Sequence, residues 1–231
     1  MTTISNRLQD ILATIQSIKA ATQAPQAISL LAVSKAHSSQ AIREVYTAGQ
    51  HAFGENYVQE ALEKQGELED LEITWHFIGP IQSNKTQLIA QHFSWVHSID
   101  RLKIAQRLND ARPTDSDPLQ VCIQVNISNE ATKGGVKPEE LASLATAISA
   151  LPRLKLRGLM AIPAPTPDPE QQRTQFKQVR QCYDALKAKG FPLDTLSMGM
   201  SDDYPIAIEQ GATIVRIGSA LFGSRLQSQH D

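Results

Sequence analysis

The sequence predicts one α/β domain, spanning residues 1–231, that folds as a (β/α)8 TIM barrel with an extra N-terminal helix. Three observations support this prediction. The chain has 231 residues, 41% of them hydrophobic, which suits one sizeable core and is close to the length of such barrels. From residue 29 onward, apolar or β-branched runs alternate eight times with helical patterns. Alternating strands and helices predict a parallel sheet covered by helices, and eight units favour a closed barrel.

The extra helix comes first, where apolar residues recur every three or four positions, as in an amphipathic helix. These residues are Ile4, Leu8, Ile11, Leu12, Ile15 and Ile18. Eight strand candidates follow it. In chain order they are "SLLAVSK", "HAFGEN", "TWHFIG", "WVHSID", "LQVCIQVN", "KLRGLMAI", "DTLSMGM" and "TIVRIGS".

Helix boundaries between these strands are marked by capping residues. Ser38 or Ser39 can cap a helix that Gly49 ends. Pro138 with two glutamates opens another helix, and Asp168-Pro169-Glu170 opens a third. Gly190 and Pro192 close the third helix, and its predicted buried face holds Phe176, Val179, Tyr183 and Leu186.

Composition argues against several classes of partner. The net charge is −2 and both signs are interspersed, which is not typical of a protein that binds nucleic acid or an anionic membrane. A small molecule is the expected partner. The charged N-terminus lacks the apolar run of a secretory signal, so a cytoplasmic location is expected. Cys122 and Cys182 are expected to be reduced, and the six histidines show no metal-ligand spacing.

Polar residues follow the predicted strands at their carboxyl ends. In barrels of this type the active site forms at that end, so their coincidence suggests one shared site, although each residue alone could be a helix cap or a loop residue. The set comprises Lys35, Asn56, Ser98, Asn126, Ser197, Ser201, Arg216 and the pair Gly218-Ser219.

Lys35 ends an apolar run, and burying its ammonium would be costly unless the charge were paired or removed. Three interpretations are open. The side chain can extend to solvent, it can act as a general base with a lowered pKa, or it can form a Schiff base with an aldehyde. The third interpretation requires a site for the rest of the aldehyde.

Two turns of small residues can supply an anion site. Gly218 and Ser219 follow the last strand, and their backbone can approach a phosphate closely. Met198-Gly199-Met200-Ser201 follows the preceding strand. Barrels commonly bind phosphate after these last two strands.

Arg216 shares a strand face with Gly218, two residues later. If a phosphorylated pyridine aldehyde is bound, the guanidinium could donate to the ring nitrogen. Arginine rarely gives up a proton, so the ring would stay unprotonated and would be a weak electron sink.

Taken together, the motifs resemble the pyridoxal-phosphate homeostasis protein family, the single-barrel relatives of the N-terminal domain of alanine racemase. The matching segments include "AVSKAHS", "FGENYVQEALEK", "WHFIGPIQSNK", "VHSIDRLKIA", "VNISNEATKGGV", "GLMAI", "LSMGMSDDYPIAIEQGAT" and "VRIGSALFG". The resemblance implies that Lys35 holds pyridoxal 5'-phosphate as a Schiff base. It also implies that Ser201, Gly218 and Ser219 bind the phosphate and that Arg216 faces the pyridine nitrogen.

The same resemblance implies that Asn56 and His76 flank the ring, with Met198 and Met200 nearby; core packing is the alternative for these residues. Lys64, Lys85, Lys133 and Lys137 are other amines on which the cofactor could dock, but we expect each of them to be solvated.

The family suggests a carrier rather than a catalyst. Alanine racemase obtains its second proton-transfer group from a tyrosine tied to an added domain, and no comparable domain is expected here. Tyr57 and Tyr204 could reach the barrel mouth, but capping or packing is expected for both. We therefore expect a monomer that buffers pyridoxal phosphate, could deliver it to apo enzymes, and so affects amino-acid and keto-acid metabolism. The alternative is a low-rate amino-acid racemase or another Schiff-base enzyme.

Overall fold

The computed structural model describes residues 3–24, 26–128 and 134–223. Within them, eight parallel strands form a closed barrel in chain order, and the last strand pairs with the first. All eight predicted strands are present, so the predicted (β/α)8 fold class is confirmed. The strands are β1 (Ser29–Val33), β2 (Ala52–Glu55), β3 (Thr74–Phe77), β4 (Trp95–Ile99), β5 (Leu119–Gln124), β6 (Leu154–Met160), β7 (Thr195–Ser197) and β8 (Ile214–Ile217).

Helices precede, connect and follow the strands. They are α1 (Ile4–Ala21), α2 (Ser39–Thr47), α3 (Val58–Glu67), α4 (Thr86–His92), α5 (Leu102–Ala111), α6 (Leu141–Ser149), α7 (Pro169–Ala188), α8 (Tyr204–Glu209) and α9 (Ser219–Phe222). Short 3-10 turns at Ser83–Lys85 and Pro138–Glu140 lead into α4 and α6.

The helix caps follow the chemistry of their residues. Ser38 caps α2, because its Oγ accepts a hydrogen bond from the Ala41 amide at 3.3 Å. Asp168 caps α7 in the same way and accepts from the Glu170 amide at 3.0 Å. At the other end of α2, Gly49 adopts a φ of +104°, the left-handed conformation that commonly ends helices. The predicted boundaries of these helices are therefore correct.

The hydrophobic core lies between the strands and the helices around them. On α7, the four residues of the predicted apolar face are all buried, and the Tyr183 hydroxyl donates to the Leu193 carbonyl at 2.9 Å. Because Tyr183 pairs its only donor, its ring can be buried without an unsatisfied polar group. The apolar period of the sequence therefore places α7 against the barrel.

The extra helix α1, near the start of the chain, contacts α9, the last helix described. Its residues Leu8, Ile11 and Ile15 are buried. The Arg7 guanidinium donates to the Leu221 carbonyl at 2.6 Å and to the Phe222 carbonyl at 3.3 Å. These bonds satisfy carbonyls at the end of α9, next to the barrel mouth.

Two strands end earlier in the chain than the sequence predicts. β1 ends at Val33, so Lys35 lies two residues beyond the sheet, and β7 ends at Ser197, before the glycine turn. The backbone leaves the ladder there because the following turns need other dihedral angles. Residues that follow the strands can therefore converge on the mouth.

Several other expectations can be compared with the described residues. Cys122 and Cys182 are both free thiols. Burial raises the pKa of the Cys122 thiol to about 12, so it is unreactive at neutral pH. No group of metal-ligating side chains occurs within the ranges given above. In the same ranges, no helix combines the length and the apolar character that crossing a bilayer requires.

Candidate functional site

A cavity of about 270 Å³ opens at the carboxyl end of the barrel. This volume is close to the lower limit for small-molecule sites, which suits a compact ligand. Its walls come from the ends of β1 and β8 and from the segments that follow β1, β2, β3, β6, β7 and β8. The lining residues are Val33, Lys35, His37, Asn56, Ile78, Ile162, Met200, Ser201, Asp202, Arg216, Gly218, Ser219 and Gly223.

Lys35 contributes the amine of this cavity. It follows the fully buried Ser34 but is itself only half-buried, so the full cost of burying an ammonium does not arise. The next residue, Ala36, has a φ of +61°, a left-handed conformation that is uncommon for a residue with a Cβ. This turn directs the chain from β1 toward α2.

The two predicted anion turns meet at the cavity. The Ala220 amide, at the start of α9 directly after the Gly218-Ser219 turn, donates to the Ser201 hydroxyl oxygen at 3.3 Å and so links this turn to the one after β7. Gly218 lies so close to β1 that an added Cβ would be 3.2 Å from the Val33 carbonyl oxygen. The two turns therefore form one continuous wall, which lies beside the strand that leads to Lys35.

The Asp203 side chain stabilises the turn that follows β7. Its carboxylate accepts a hydrogen bond from the Met200 amide at 2.6 Å. Burial raises the pKa of Asp203, although the Met200 amide and the nearby Arg216 act in the opposite direction. The backbone between Met200 and Asp203 is thereby fixed.

Arg216 is the buried cation of the cavity. Only 4% of it is exposed, and burial lowers its pKa to about 10, so it remains charged at neutral pH. One terminal nitrogen donates to the Ser197 hydroxyl at 2.8 Å and the other to the Ala161 carbonyl at 2.9 Å. These two bonds orient the guanidinium plane while leaving further N–H donors for a ligand.

A chain of neutral side chains continues from Arg216 across the barrel interior. His97 Nδ1 is 2.8 Å from the Ser197 hydroxyl, and His97 Nε2 is 2.9 Å from His76 Nδ1. Burial lowers the pKa of His76 to about 3 and that of His97 well below 6.5. Both rings are therefore neutral at pH 7, and each can donate from one nitrogen and accept at the other.

The cavity brings together six of the eight residues assigned from the sequence: Lys35, Asn56, Ser201, Arg216, Gly218 and Ser219. His76 and Met198 are not among its lining residues. His76 lies within β3, where it stacks on Trp95 with ring centroids 5.3 Å apart, and Met198 is fully buried. Met200, expected only to be nearby, is in the wall.

Other rim residues have structural partners. The Ser98 hydroxyl donates to the Gly79 carbonyl at 2.5 Å, and the Asn126 side chain accepts from the Ser128 amide at 3.2 Å. Neither Ser98 nor Asn126 is in the cavity wall, so the shared rim position alone did not identify the site.

His37, Asp202 and Ile162 line the cavity but were not assigned from the sequence. The imidazole of His37 stacks on Phe222 with ring centroids 4.6 Å apart. One signal was available for His37, because it follows Lys35 by two residues and lies on the same turn. No local pattern identified Ile162, whose loop is placed by the end of β6.

The tyrosines and lysines that could have extended the site lie elsewhere. Tyr57 is 62% exposed and Tyr204 begins α8; neither lines the cavity. The expectation that Lys64 is solvated is wrong, because it is only 6% exposed and pairs with Glu55 and Glu60. Lys137 is exposed, Lys85 is half-buried, and Lys133 lies outside the described residues.

A closed parallel barrel with a lysine after its first strand and paired anion turns after its last two defines the class of alanine racemase N-terminal barrels. The family model for "Alanine racemase, N-terminal domain" matches residues 7–226. A relative from Pseudomonas aeruginosa named pyridoxal phosphate homeostasis protein is 55% identical over 226 residues, covering 97% of each chain. The chain therefore belongs to the alanine racemase N-terminal domain family and, within it, to the pyridoxal phosphate homeostasis proteins.

Solved structures agree with this assignment. PipY of Synechococcus elongatus, solved with PLP bound, has a TM-score of 0.85 and 38% identity, and the match covers 96% of this chain and 100% of PipY. Alanine racemase from Corynebacterium glutamicum has a TM-score of 0.67 at 18% identity, and the match covers 63% of that enzyme. At that identity, the second likeness concerns the fold alone.

Proposed function

We propose that the protein binds pyridoxal 5'-phosphate in this cavity, holds it as a Schiff base on Lys35, and acts in vitamin B6 homeostasis. The observation that carries the proposal is the convergence of one lysine, one buried arginine and two linked anion turns on one compact cavity. The names of the relatives and the PLP-bound PipY structure support it.

The phosphate would be held by the linked turns. Ser201 and Ser219 offer hydroxyls, and Gly218 allows close approach of the backbone. An anion at this position also lies in the field of the charged Arg216. Because the turns are tied to each other through Ser201, a phosphate would meet donors that are already in place.

Asn56 supplies a second indication that the cavity takes a ligand. Its Oδ1 atom is buried and has no hydrogen-bond partner, although the residue lines the cavity. A buried acceptor without a partner is costly unless a ligand donor satisfies it. A small molecule that brings a hydrogen-bond donor into the cavity would satisfy this atom.

Arg216 would face the pyridine nitrogen. Its guanidinium stays protonated and can only donate, so the ring nitrogen would accept a hydrogen bond without gaining a proton. Bound pyridoxal phosphate supplies an electrophilic carbon and an electron sink, and an unprotonated ring weakens that sink. This arrangement favours a carrier over an efficient catalyst.

His76 and Met198 are not part of the proposed contact set, because neither lines the cavity. His76 acts instead through His97 and Ser197 on the orientation of Arg216. We also propose a single-domain, cytoplasmic monomer that passes the cofactor to apo enzymes. Transfer of absorbance from the loaded protein to an apo enzyme, with free cofactor trapped, tests this last step.

Replacing Lys35 tests the attachment. Lys35→Ala should abolish the visible absorbance band of the loaded protein and the borohydride-stable adduct, while the exposed control Lys103→Ala should retain both. Peptide mass spectrometry locates the adduct. A Lys35→Ala protein that still forms an equally stable imine, or an adduct on another lysine in the parent protein, would contradict the assignment.

A second experiment separates a carrier from an enzyme. Loaded protein is incubated with single-enantiomer alanine in deuterated water, and α-deuterium is followed by NMR. A carrier should give negligible exchange, because exchange requires removal of the α-proton. Exchange clearly above that of the Lys35→Ala protein, with loss of optical purity, would instead support the low-rate racemase alternative.

A further inference from the structure

The turn that carries Lys35 contains a strained residue. Ala36 has a φ of +61°, and among the described residues only Gln23 is another non-glycine with positive φ. Such a conformation persists when surrounding contacts hold it, and it is common beside functional groups. The contacts that hold Ala36 therefore also decide the direction of the neighbouring Lys35 side chain.

One such contact comes from α3. The Ala36 amide donates to Glu60 Oε1 at 2.6 Å. The same oxygen accepts from Lys64 Nζ at 2.6 Å, one helical turn along α3. The glutamate therefore links the strained backbone to a lysine that is itself buried.

The other neighbour of Lys35 is held from the opposite side. Lys64 Nζ donates to the Ser34 carbonyl at 2.8 Å and to Glu55 Oε1 at 2.8 Å. The Ser34 hydroxyl also donates to Glu55 Oε1, at 2.6 Å. With its bond to Glu60, Lys64 thus uses all three ammonium donors, which excludes it as a free amine for the cofactor.

Burial makes these bonds specific. Lys64 is 6% exposed and Glu55 fully buried, so their mutual attraction is only weakly screened. None of Glu55, Glu60 and Lys64 lines the cavity. Their contacts instead reach the backbone on both sides of Lys35, at Ser34 and Ala36.

We propose that Glu55, Glu60 and Lys64 form a clamp that positions the neutral Lys35 amine for attack on the aldehyde carbon, where a C=N bond would replace the C=O bond and the oxygen would leave as water with the two amine protons. The inference rests on the proposed function, because it requires Lys35 to be the attachment point. These are positioning residues: they fix the two residues that flank Lys35, while the anion turns after β7 and β8 are built without them.

Because the clamp and the anion turns are separate, the affinities for two ligands can distinguish loss of the clamp from general damage to the site. Pyridoxal phosphate and pyridoxine phosphate would both use the anion turns and Arg216, because they share the phosphate and the ring, but only pyridoxal phosphate has an aldehyde and needs the Lys35 amine as well. Loss of the clamp should weaken binding of the first ligand and leave the second unchanged. General destabilisation of the barrel would weaken both.

Glu60→Ala is the informative variant, because it removes the acceptor of the Ala36 amide while Glu55 still pairs with Lys64. The Glu60 side chain is 29% exposed. Because of this partial exposure, we expect the lost hydrogen bond to contribute at the lower end of the range for charged hydrogen bonds. The affinity for pyridoxal phosphate should then be about tenfold weaker. Glu60→Gln keeps an acceptor oxygen and should lose less. Glu63→Ala, on the exposed side of α3, is the matched control and should bind like the parent.

A glycine at position 36 tests the strain directly. Gly adopts positive φ without a Cβ penalty, so Ala36→Gly should reduce the effect of Glu60→Ala in the double variant. Affinities for both ligands are measured by equilibrium titration, with absorbance for pyridoxal phosphate and calorimetry for pyridoxine phosphate.

The outcomes separate this inference from the proposed function. If the parent protein forms no imine on Lys35, the proposed function fails. If the parent forms it and Glu60→Ala binds pyridoxal phosphate as tightly as Glu63→Ala, the clamp is refuted. An equal loss of affinity for both ligands also refutes it, because the effect would then be general.

Discussion

Gly199→Ala is expected to destabilise the fold at the anion turn after β7. Gly199 has a φ of +91°, and an added Cβ would lie 2.6 Å from Ala207 Cβ and 3.0 Å from Tyr204 Cα. The left-handed conformation costs about 1–2 kcal/mol for a residue with a Cβ. Overpacking costs about 1–3 kcal/mol more, because both contacts belong to α8 and the helix must shift. The expected loss is about 2–5 kcal/mol.

Substitutions of two other glycines separate the backbone cost from the overpacking cost. Gly49 has a φ of +104° with nothing within 4 Å of an added Cβ, so Gly49→Ala should show the backbone cost alone. Gly66 also has open space but lies within α3. Gly66→Ala should therefore stabilise the protein by about 0.5–1 kcal/mol, the ordinary gain of alanine over glycine in a helix.

Urea unfolding followed by circular dichroism measures the three free energies. Gly199→Ala should be the least stable variant, and its affinity for pyridoxine phosphate should fall because movement of α8 displaces Ser201. If Gly199→Ala proves no less stable than Gly49→Ala, the tight contact between this turn and α8 is not what holds the turn, and the reasoning is refuted.

Three further changes address the barrel interior. Because burial lowers the pKa of His76 from 6.5 to about 3, the unfolded chain binds a proton that the folded chain does not. The free energy of unfolding should therefore fall by up to about 1.4 kcal/mol for each unit by which the pH is lowered from about 6.5 to about 3. His76→Gln should reduce that slope in urea unfolding at a series of pH values. Ser197→Ala leaves a buried guanidinium and a buried imidazole each without one partner, and should cost about 1–3 kcal/mol in the same assay. Gly158→Ala would place a methyl group against the Thr195 carbonyl oxygen of the paired strand, and should sharply reduce the yield of folded protein by size exclusion.

Matched controls accompany these changes. His92 is exposed at the end of α4, so His92→Gln should leave the pH slope as it is in the parent. Ser143 is exposed on α6, so Ser143→Ala should change stability by less than about 0.5 kcal/mol. A full pH slope in His76→Gln, equal losses for the two serine variants, or a parent-like yield of Gly158→Ala would each contradict the corresponding contact.

The fold was accessible from the sequence because its signals are local. The eight apolar runs, the Ser38 cap and the Gly49 terminus each depend on a few neighbouring residues, and the structure confirms them. Strand order followed from the rule that successive parallel strands with helical crossovers lie side by side.

The layer that a residue occupies along the barrel axis could not be predicted from the sequence in the same way. A period of two tells which side of a strand a residue faces but not which layer it occupies. His76 was expected beside the cavity, but its ring lies inside the barrel and contacts His97. Only the stagger of neighbouring strands sets that layer, and stagger is a property of the closed barrel.

The Lys64 cluster was missed for a different reason. Lys64 shares the buried face of α3 with Val58 and Ala61, at a helical spacing of three. A lysine at such a position usually extends to solvent, so its charge argued against burial. Its partner Glu55 ends β2 and its partner Ser34 directly follows β1, and only the packed structure brings them to one place.

The seam between the first and last strands gives the proposed site one further property. β1 and β8 pair from Ser29↔Ile214 to Ala32↔Ile217, residues that are far apart along the chain. A molecule attached to Lys35 and anchored at Gly218 would bridge this seam like a removable cross-link. Folding and ligand uptake would then be thermodynamically coupled, because occupancy stabilises the closed ring over any chain in which its two ends have separated. If the protein binds pyridoxal phosphate as proposed, the empty barrel would be the form most exposed to proteolysis, and supply of the cofactor would influence the lifetime of the protein.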